Sequence, residues 1–152
     1  MDLASNHDVH VTGLTLSEEQ IRVARQEASA RVLNDYVRFE LQDYRQHQDH
    51  YDRIVSVGMF EHVGKRQFPT YFHKVNEMLN DDGIALLHAI AASGAPTPLN
   101  PRIGRYIFPG GHIPARSDIA SAVEKAGLIT ADLEVLRNHY ALRLSTSRGI
   151  CR

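Results

Sequence analysis

Tryptophan is absent from these 152 residues, and cysteine occurs once, as Cys151. A single thiol forms no internal disulfide, so stability must come from an apolar core, and a reducing, cytoplasmic setting is the default expectation. No run approaches the roughly 20 apolar residues that span a bilayer. The opening MDLASNHDVHVTG has no basic stretch followed by an apolar one, and so does not read as a secretory signal. Charge of one sign is lacking too. Lys and Arg number 17 against 18 Asp and Glu, a net charge of -1, which offers nucleic acid no broad attraction. Nine histidines are present, but neither HExxH nor CxxC spacing accompanies them, so no metal site is expected. Without a GxSxG elbow or a GxxxxGK[ST] loop, hydrolase and nucleotide triphosphatase readings have no local support.

What is present suits one globular domain: 43% of residues are hydrophobic and 23% charged, enough at this length to bury a core. Val9 to Leu16 is β-branched and apolar and predicts a strand, and Ser17-Glu18-Glu19-Gln20 then opens a helix. Within Glu18 to Val32, Ile21, Ala24, Ala28 and Val32 fall at helical spacing and predict one buried stripe. Val37 to Leu41 alternates as a strand does. Ile54 to Phe60 is a nearly continuous apolar run, expected of a central parallel strand. Phe68 to Leu79 repeats at i, i+3, i+4 and i+7, and Asn80-Asp81-Asp82-Gly83 should close that helix before a strand from Ile84 to Ile90.

From Ala91 to Pro114 the periodicity stops, and five of the six prolines fall there. Long ordered segments of this kind often cover a site. Ser117 is expected to cap a short helix with Ile119, Ala120 and Val123 inward and Gly127 at its end. Leu128 to Leu136 reads as strand-like, and Asn138 to Ser145 as the start of a helix. Strands alternating with helices predict a doubly wound α/β sheet with right-handed crossovers.

Ligands of open α/β sheets sit beyond the carboxyl ends of the strands. Thr15 and Gln20 flank the first such end. Gln20 either meets a nucleoside ribose with its amide or completes a capping box with Ser17. Asp43, past the second, accepts from an exocyclic amine such as adenine's or serves as a turn residue. Glu61 and His62 follow the central strand, and neighbours there point oppositely, so one should face a pocket and the other solvent. His88, inside an apolar strand, is a core histidine unless Glu61 shares its pocket. A carboxylate and an imidazole together can hold a proton-accepting group. Tyr140 is a phenol donor over the same site or a packed helix aromatic. Phe68, Tyr71 and Phe72 read as core.

The strings VTGLTLSEEQ, LQDYR, YDRIVSVGMFEHVG, the Phe68 to Leu79 helix, DGIALLH, RYIFPGGHIP and DLEVLRNHYALRL resemble, in order and spacing, the cyclopropane fatty acid synthase family. That family includes the mycolic acid cyclopropane synthases. The resemblance implies a Rossmann-like class I S-adenosylmethionine-dependent methyltransferase α/β sheet with helices on both faces, spanning residues 1–152 as a partial domain. Residues 91–116 would form its Pro/Gly-rich active-site loop. Thr15, Leu16, Gln20, Tyr44, Arg45 and the region around Val57 would line the S-adenosylmethionine site, joined by Asp43. Glu61, His88 and Tyr140 match residues that hold a bicarbonate ion. The implied reaction places the sulfonium methyl on the cis double bond of an unsaturated phospholipid acyl chain. The resulting cation then loses a proton from the new methyl to bicarbonate and closes the ring.

Transient contact with the inner membrane surface follows from such a substrate, and homo-oligomerisation is compatible with it. Two departures stand out: the family's first strand and glycine-rich cofactor loop have no counterpart in the sequence, and neither has its last strand, the residues from Ser145 to Arg152 matching nothing in the family pattern. The chain therefore reads as a segment of the catalytic domain. Two alternatives keep it in other roles: methyl transfer to an amine or other small acceptor, and a non-catalytic or partner-dependent segment with an uncovered sheet edge.

Overall fold

A computed structural model describes residues 1–92 and 113–136. Their elements, in chain order, are helix α1 (Asp2–His7), strand β1 (Val11–Thr15), helix α2 (Glu18–Ala30), strand β2 (Val37–Leu41), strand β3 (Tyr51–Val57), helix α3 (Phe68–Met78), strand β4 (Leu79–His88) and helix α4 (Arg116–Lys125). No helix among the described residues is long and apolar enough to cross a membrane.

Two strand–helix–strand units carry the architecture. β1 and β2 pair in parallel from Val11 with Val37 to Thr15 with Leu41, the connection being α2. β3 and β4 pair in parallel through α3, ending with Val57 opposite His88. A parallel pair needs such a crossover, because its second strand must start again at the same end as the first. Among the described residues the four strands make two separate two-stranded ladders rather than one continuous sheet.

Local chemistry fixes most boundaries. Ser17 is the N-cap of α2 and its hydroxyl accepts from Gln20 N. Ile21 and Ala28 are buried and Ala24 half-buried, as the spacing required. Val32 departs from the expected stripe: the helix ends at Ala30, and Val32 takes a left-handed φ of 56° and is 85% exposed. The central strand also lies three residues earlier than the apolar run suggested. β3 ends at Val57 because Gly58, at φ 65°, turns the chain outward, a conformation that L side chains resist. Its N–H still donates to His88 O at 3.1 Å.

Asn80-Asp81-Asp82-Gly83 does not separate α3 from the next strand. Leu79 already pairs with Tyr51, and the four residues form an irregularity inside β4 before Ile84 meets Arg53. Gly83 is needed there, since a Cβ would stand 2.8 Å from Asn80 O. α4 begins at Arg116 with Ala115 as N-cap, so Ser117 lies within the first turn and caps nothing. Ala122 and Ala126 are buried, whereas Ala120 is exposed. Residues 128–136 form no strand, and Ile129, Leu133 and Val135 stay exposed, having no ladder partner among the described residues. The expected helix from Asn138 lies outside the described residues.

The core gathers where α3 and α4 meet the turn after β3. Phe60, Phe68, Tyr71, Phe72 and Val75 pack with Ala122 and Ala126, and Ile54 and Leu87 lean in from the strands. Phe60 stacks on Phe68 at 4.4 Å between centroids and meets Tyr71 edge-on at 5.0 Å. Aromatic pairs in these geometries gain about 0.5–1.5 kcal/mol beyond their buried area. The expected core role of Phe68, Tyr71 and Phe72 is what the fold displays. The opposite face of the β3–β4 pair is different: Val55, Val57, Ile84 and Leu86 are 57%, 63%, 59% and 55% exposed.

Candidate functional site

Every described candidate residue from the sequence falls at or just past the carboxyl end of a strand. Beyond β1, the Thr15 hydroxyl donates to Gln20 Oε1 at 2.7 Å and accepts from Ser17 N at 3.1 Å. Gln20 N in turn donates to Ser17 Oγ at 3.3 Å. The capping box is thus half-formed. Ser17 captures the Gln20 amide hydrogen, but the Gln20 side chain turns to Thr15 instead of Ser17 N. Leu16 beside it is 73% exposed.

Beyond β2, Asp43 caps a 3-10 turn at Tyr44–Gln46. Its Oδ1 accepts from Arg45 N at 2.9 Å, and Arg45 Nε lies 3.0 Å from both carboxylate oxygens. The Arg45 guanidinium hydrogen-bonded to Asp43 holds that carboxyl below its ordinary range, and the same bond raises Arg45. Tyr44 sets its ring edge-on to Tyr71 at 5.5 Å, tying this turn to α3. Burial pushes the phenols of both tyrosines up.

Beyond β3, a 3-10 turn at Phe60–His62 carries Glu61 inward and His62 outward. The opposite orientation of the two was expected from a strand; a turn anchored by fully buried Phe60 produces it instead. Glu61 is 3% exposed. Its Oε1 accepts the backbone N–H of Ile90 at 2.6 Å, while Oε2 is buried with no hydrogen-bond partner among the described residues. His88, half-buried, is the last residue of β4 and sits opposite Val57. Glu61 and His88 therefore belong to one locus, the shared carboxyl end of the β3–β4 pair. Tyr140 lies outside the described residues, as does most of the 91–116 segment. The two ends of that segment meet, Ala92 N donating to Pro114 O at 2.8 Å.

No group of His, Cys, Asp and Glu among the described residues is arranged to hold a metal. Sequence reasoning missed two members of this region. Ile90 contributes through its backbone, which no side-chain pattern signals. His47 is buried at 3% exposure in a stretch so polar, Gln46 to His50, that it reads as loop.

A family model described as mycolic acid cyclopropane synthetase matches residues 1–148. The chain is 45% identical over 122 residues to cyclopropane-fatty-acyl-phospholipid synthase of Escherichia coli K12, an alignment covering 80% of this chain and 31% of that enzyme. It is 38% identical over 148 residues to a probable fatty acid methyltransferase of Pseudomonas putida, covering 93% and 38%. Among solved structures, the cyclopropane synthase MmaA2 of Mycobacterium tuberculosis matches with a TM-score of 0.84 at 29% identity, over 94% of this chain and 55% of that one. Mycolic acid cyclopropane synthase CmaA1 complexed with SAH and CTAB gives the same TM-score and identity, over 95% and 55%. The chain thus spans about a third of the first two relatives and about half of the two solved structures.

Proposed function

The chain belongs to the mycolic acid cyclopropane synthetase family, and from that premise we propose that it carries part of a site for S-adenosylmethionine-dependent methyl transfer to the cis double bond of a phospholipid acyl chain, forming a cyclopropane. Its fold is the Rossmann-like α/β arrangement of class I methyltransferases.

The observation that carries the reading is Glu61. A buried carboxylate with one oxygen bonded to the backbone and the other without a hydrogen-bond partner among the described residues is costly unless a further group completes it. A ligand with an O–H donor suits Oε2, and a bicarbonate ion has one such donor. Glu61, His88 and Tyr140 would hold that ion. Glu61 and His88 then orient a base rather than act as one, and the Glu61 carboxylate would favour positive charge developing nearby.

Residues past β1, β2 and β3 suit the cofactor. Thr15 occupies Gln20 Oε1, which leaves the amide nitrogen to donate toward a ribose. Asp43 retains lone pairs for an exocyclic amine beside Arg45. Tyr44 offers a ring, and Leu16 and Val57 offer apolar surface that is exposed. When bound there, S-adenosylmethionine supplies an electrophilic methyl on sulfur. The lipid substrate implies passing contact with the cytoplasmic membrane surface.

Unsaturated phospholipid vesicles and methyl-labelled S-adenosylmethionine test the reading. Label in a cyclopropane acyl chain supports it. Label on an amine instead points to a different acceptor, and no label in lipid overturns it. The apolar face of Val55, Val57, Ile84 and Leu86 favours one second reading, in which the chain acts with another polypeptide segment covering that face. Parallel sheets are ordinarily covered on both sides. Under that reading the isolated chain binds S-adenosylmethionine weakly or not at all in calorimetry, and micromolar binding argues against it.

A further inference from the structure

Glu61 and His47 are the buried polar side chains among the described residues. Glu61 belongs to the candidate bicarbonate locus; His47 lies in the loop between β2 and β3, and its surroundings give it a role. The chain from Gln42 to Tyr51 leaves β2, forms the 3-10 turn Tyr44–Gln46 and enters β3. His47 reaches both ends of that loop. Its Nδ1 lies 2.9 Å from Gln42 Oε1, and its Nε2 lies 2.7 Å from the Tyr51 hydroxyl, with the Tyr51 ring stacked on it at 5.7 Å. Gln42 Oε1 can only accept, so Nδ1 carries a hydrogen, and the Tyr51 hydroxyl can donate to or accept from Nε2 as needed. His47 N also closes the turn onto Tyr44 O at 3.3 Å. Around the ring stand Glu40, with Oε2 3.5 Å from Nδ1, and Asp49, with Oδ2 3.8 Å from Nε2; Arg38 pairs with both carboxylates.

We propose that His47 is a positioning residue for the cofactor loop: by clamping Gln42 to Tyr51 it fixes the place of Asp43, Tyr44 and Arg45 between them. This rests on the reading that those three line the S-adenosylmethionine site. The clamp spans the two strand pairs, because Gln42 follows β2 and Tyr51 opens β3. Among the described residues no strand ladder joins β2 to β3, so side-chain bonds of this kind, with the Tyr44–Tyr71 contact, help to hold the loop in place. A two-sided imidazole clamp sets a distance that a single hydrogen bond would not.

Amide hydrogen exchange and calorimetry with S-adenosylhomocysteine, both on the full chain, test the inference. Tyr51→Phe keeps the stacked ring and removes one bond; His47→Leu removes both; His47→Asn retains a donor near the Nδ1 position. The Gln46 amide, bonded to Asp43 O at 2.9 Å, is expected to exchange about tenfold faster in Tyr51→Phe and His47→Leu and by less in His47→Asn, while α3 amides keep their rates. S-adenosylhomocysteine affinity is expected to fall in the same order, about tenfold in His47→Leu. Unchanged Gln46 exchange with binding intact overturns the inference alone, as does acceleration equal in α3 and the loop. Absence of binding by the unsubstituted chain overturns the cofactor reading beneath it.

Discussion

The carboxylate of Glu61 holds the backbone N–H of Ile90 at 2.6 Å, so the residue that follows β3 fixes the chain as it leaves β4. One oxygen serves the architecture, and the other is buried with no hydrogen-bond partner among the described residues. Glu61→Gln separates the two roles, because the amide oxygen can still accept from Ile90 while the charge is gone. Methyl transfer into lipid should fall about 100-fold or more, in line with removal of one preorganised electrostatic group. Thermal unfolding should shift little by comparison. A variant with unaltered turnover would remove Glu61 from the reaction.

Phe60 is fully buried and touches Phe68, Tyr71 and Phe72, so it anchors the turn that presents Glu61. Phe60→Ala should destabilise the chain by about 3–5 kcal/mol, the usual cost of deleting a buried aromatic and leaving a cavity. Urea denaturation measures this. Phe60→Leu, which keeps most of the volume, should lose clearly less, and equal losses would mean that the ring stack is not what holds the turn.

How far the sequence reveals this depends on the range of the interaction. α2, β2 and α3 are readable because Ile21 and Ala28, Val37 to Leu41 and Phe68 to Met78 carry their period locally. The run Ile54 to Phe60 looks like one strand because apolar character does not distinguish Val57, which pairs with His88, from Phe60, which fills the core. The break is made by the backbone of Gly58. Glu61 and His88 are legible as residues, but their common locus is a product of β3–β4 register. Asp43 is legible as either ligand or cap, and only the position of Arg45 shows that capping already engages it. His47 is hidden because its partners, Gln42 and Tyr51, matter through distance rather than spacing.

Gly83 and Gly58 need to be glycine for different reasons, and alanine should expose the difference. At Gly83 a Cβ meets Asn80 O and Leu79 Cδ2 at 2.8 Å, so Gly83→Ala must displace backbone inside β4. A loss of about 1–3 kcal/mol is expected, as for other overpacked sites. At Gly58 a Cβ meets nothing within 4 Å, but φ is 65°, so Gly58→Ala carries just the left-handed penalty, about 1–2 kcal/mol. Hydrogen exchange should distinguish them further. Gly83→Ala loosens amides at the start of β4, whereas Gly58→Ala affects the Phe60–His62 turn.

Tyr71 makes stability depend on alkaline pH. Burial raises its phenol above the ordinary value, and an unfolded tyrosine ionises near pH ~10. Above that point the unfolded chain releases a proton that the folded chain retains, so stability present at neutral pH declines as pH climbs from about 10 through the folded value. Tyr71→Phe deletes the titrating group and should flatten this limb, leaving a residual slope from Tyr44, whose phenol is also raised by partial burial. Urea midpoints between pH 8 and about 11 give the comparison. If the parent and Tyr71→Phe lose stability in parallel over that range, the Tyr71 phenol is not the group whose burial opposes ionisation.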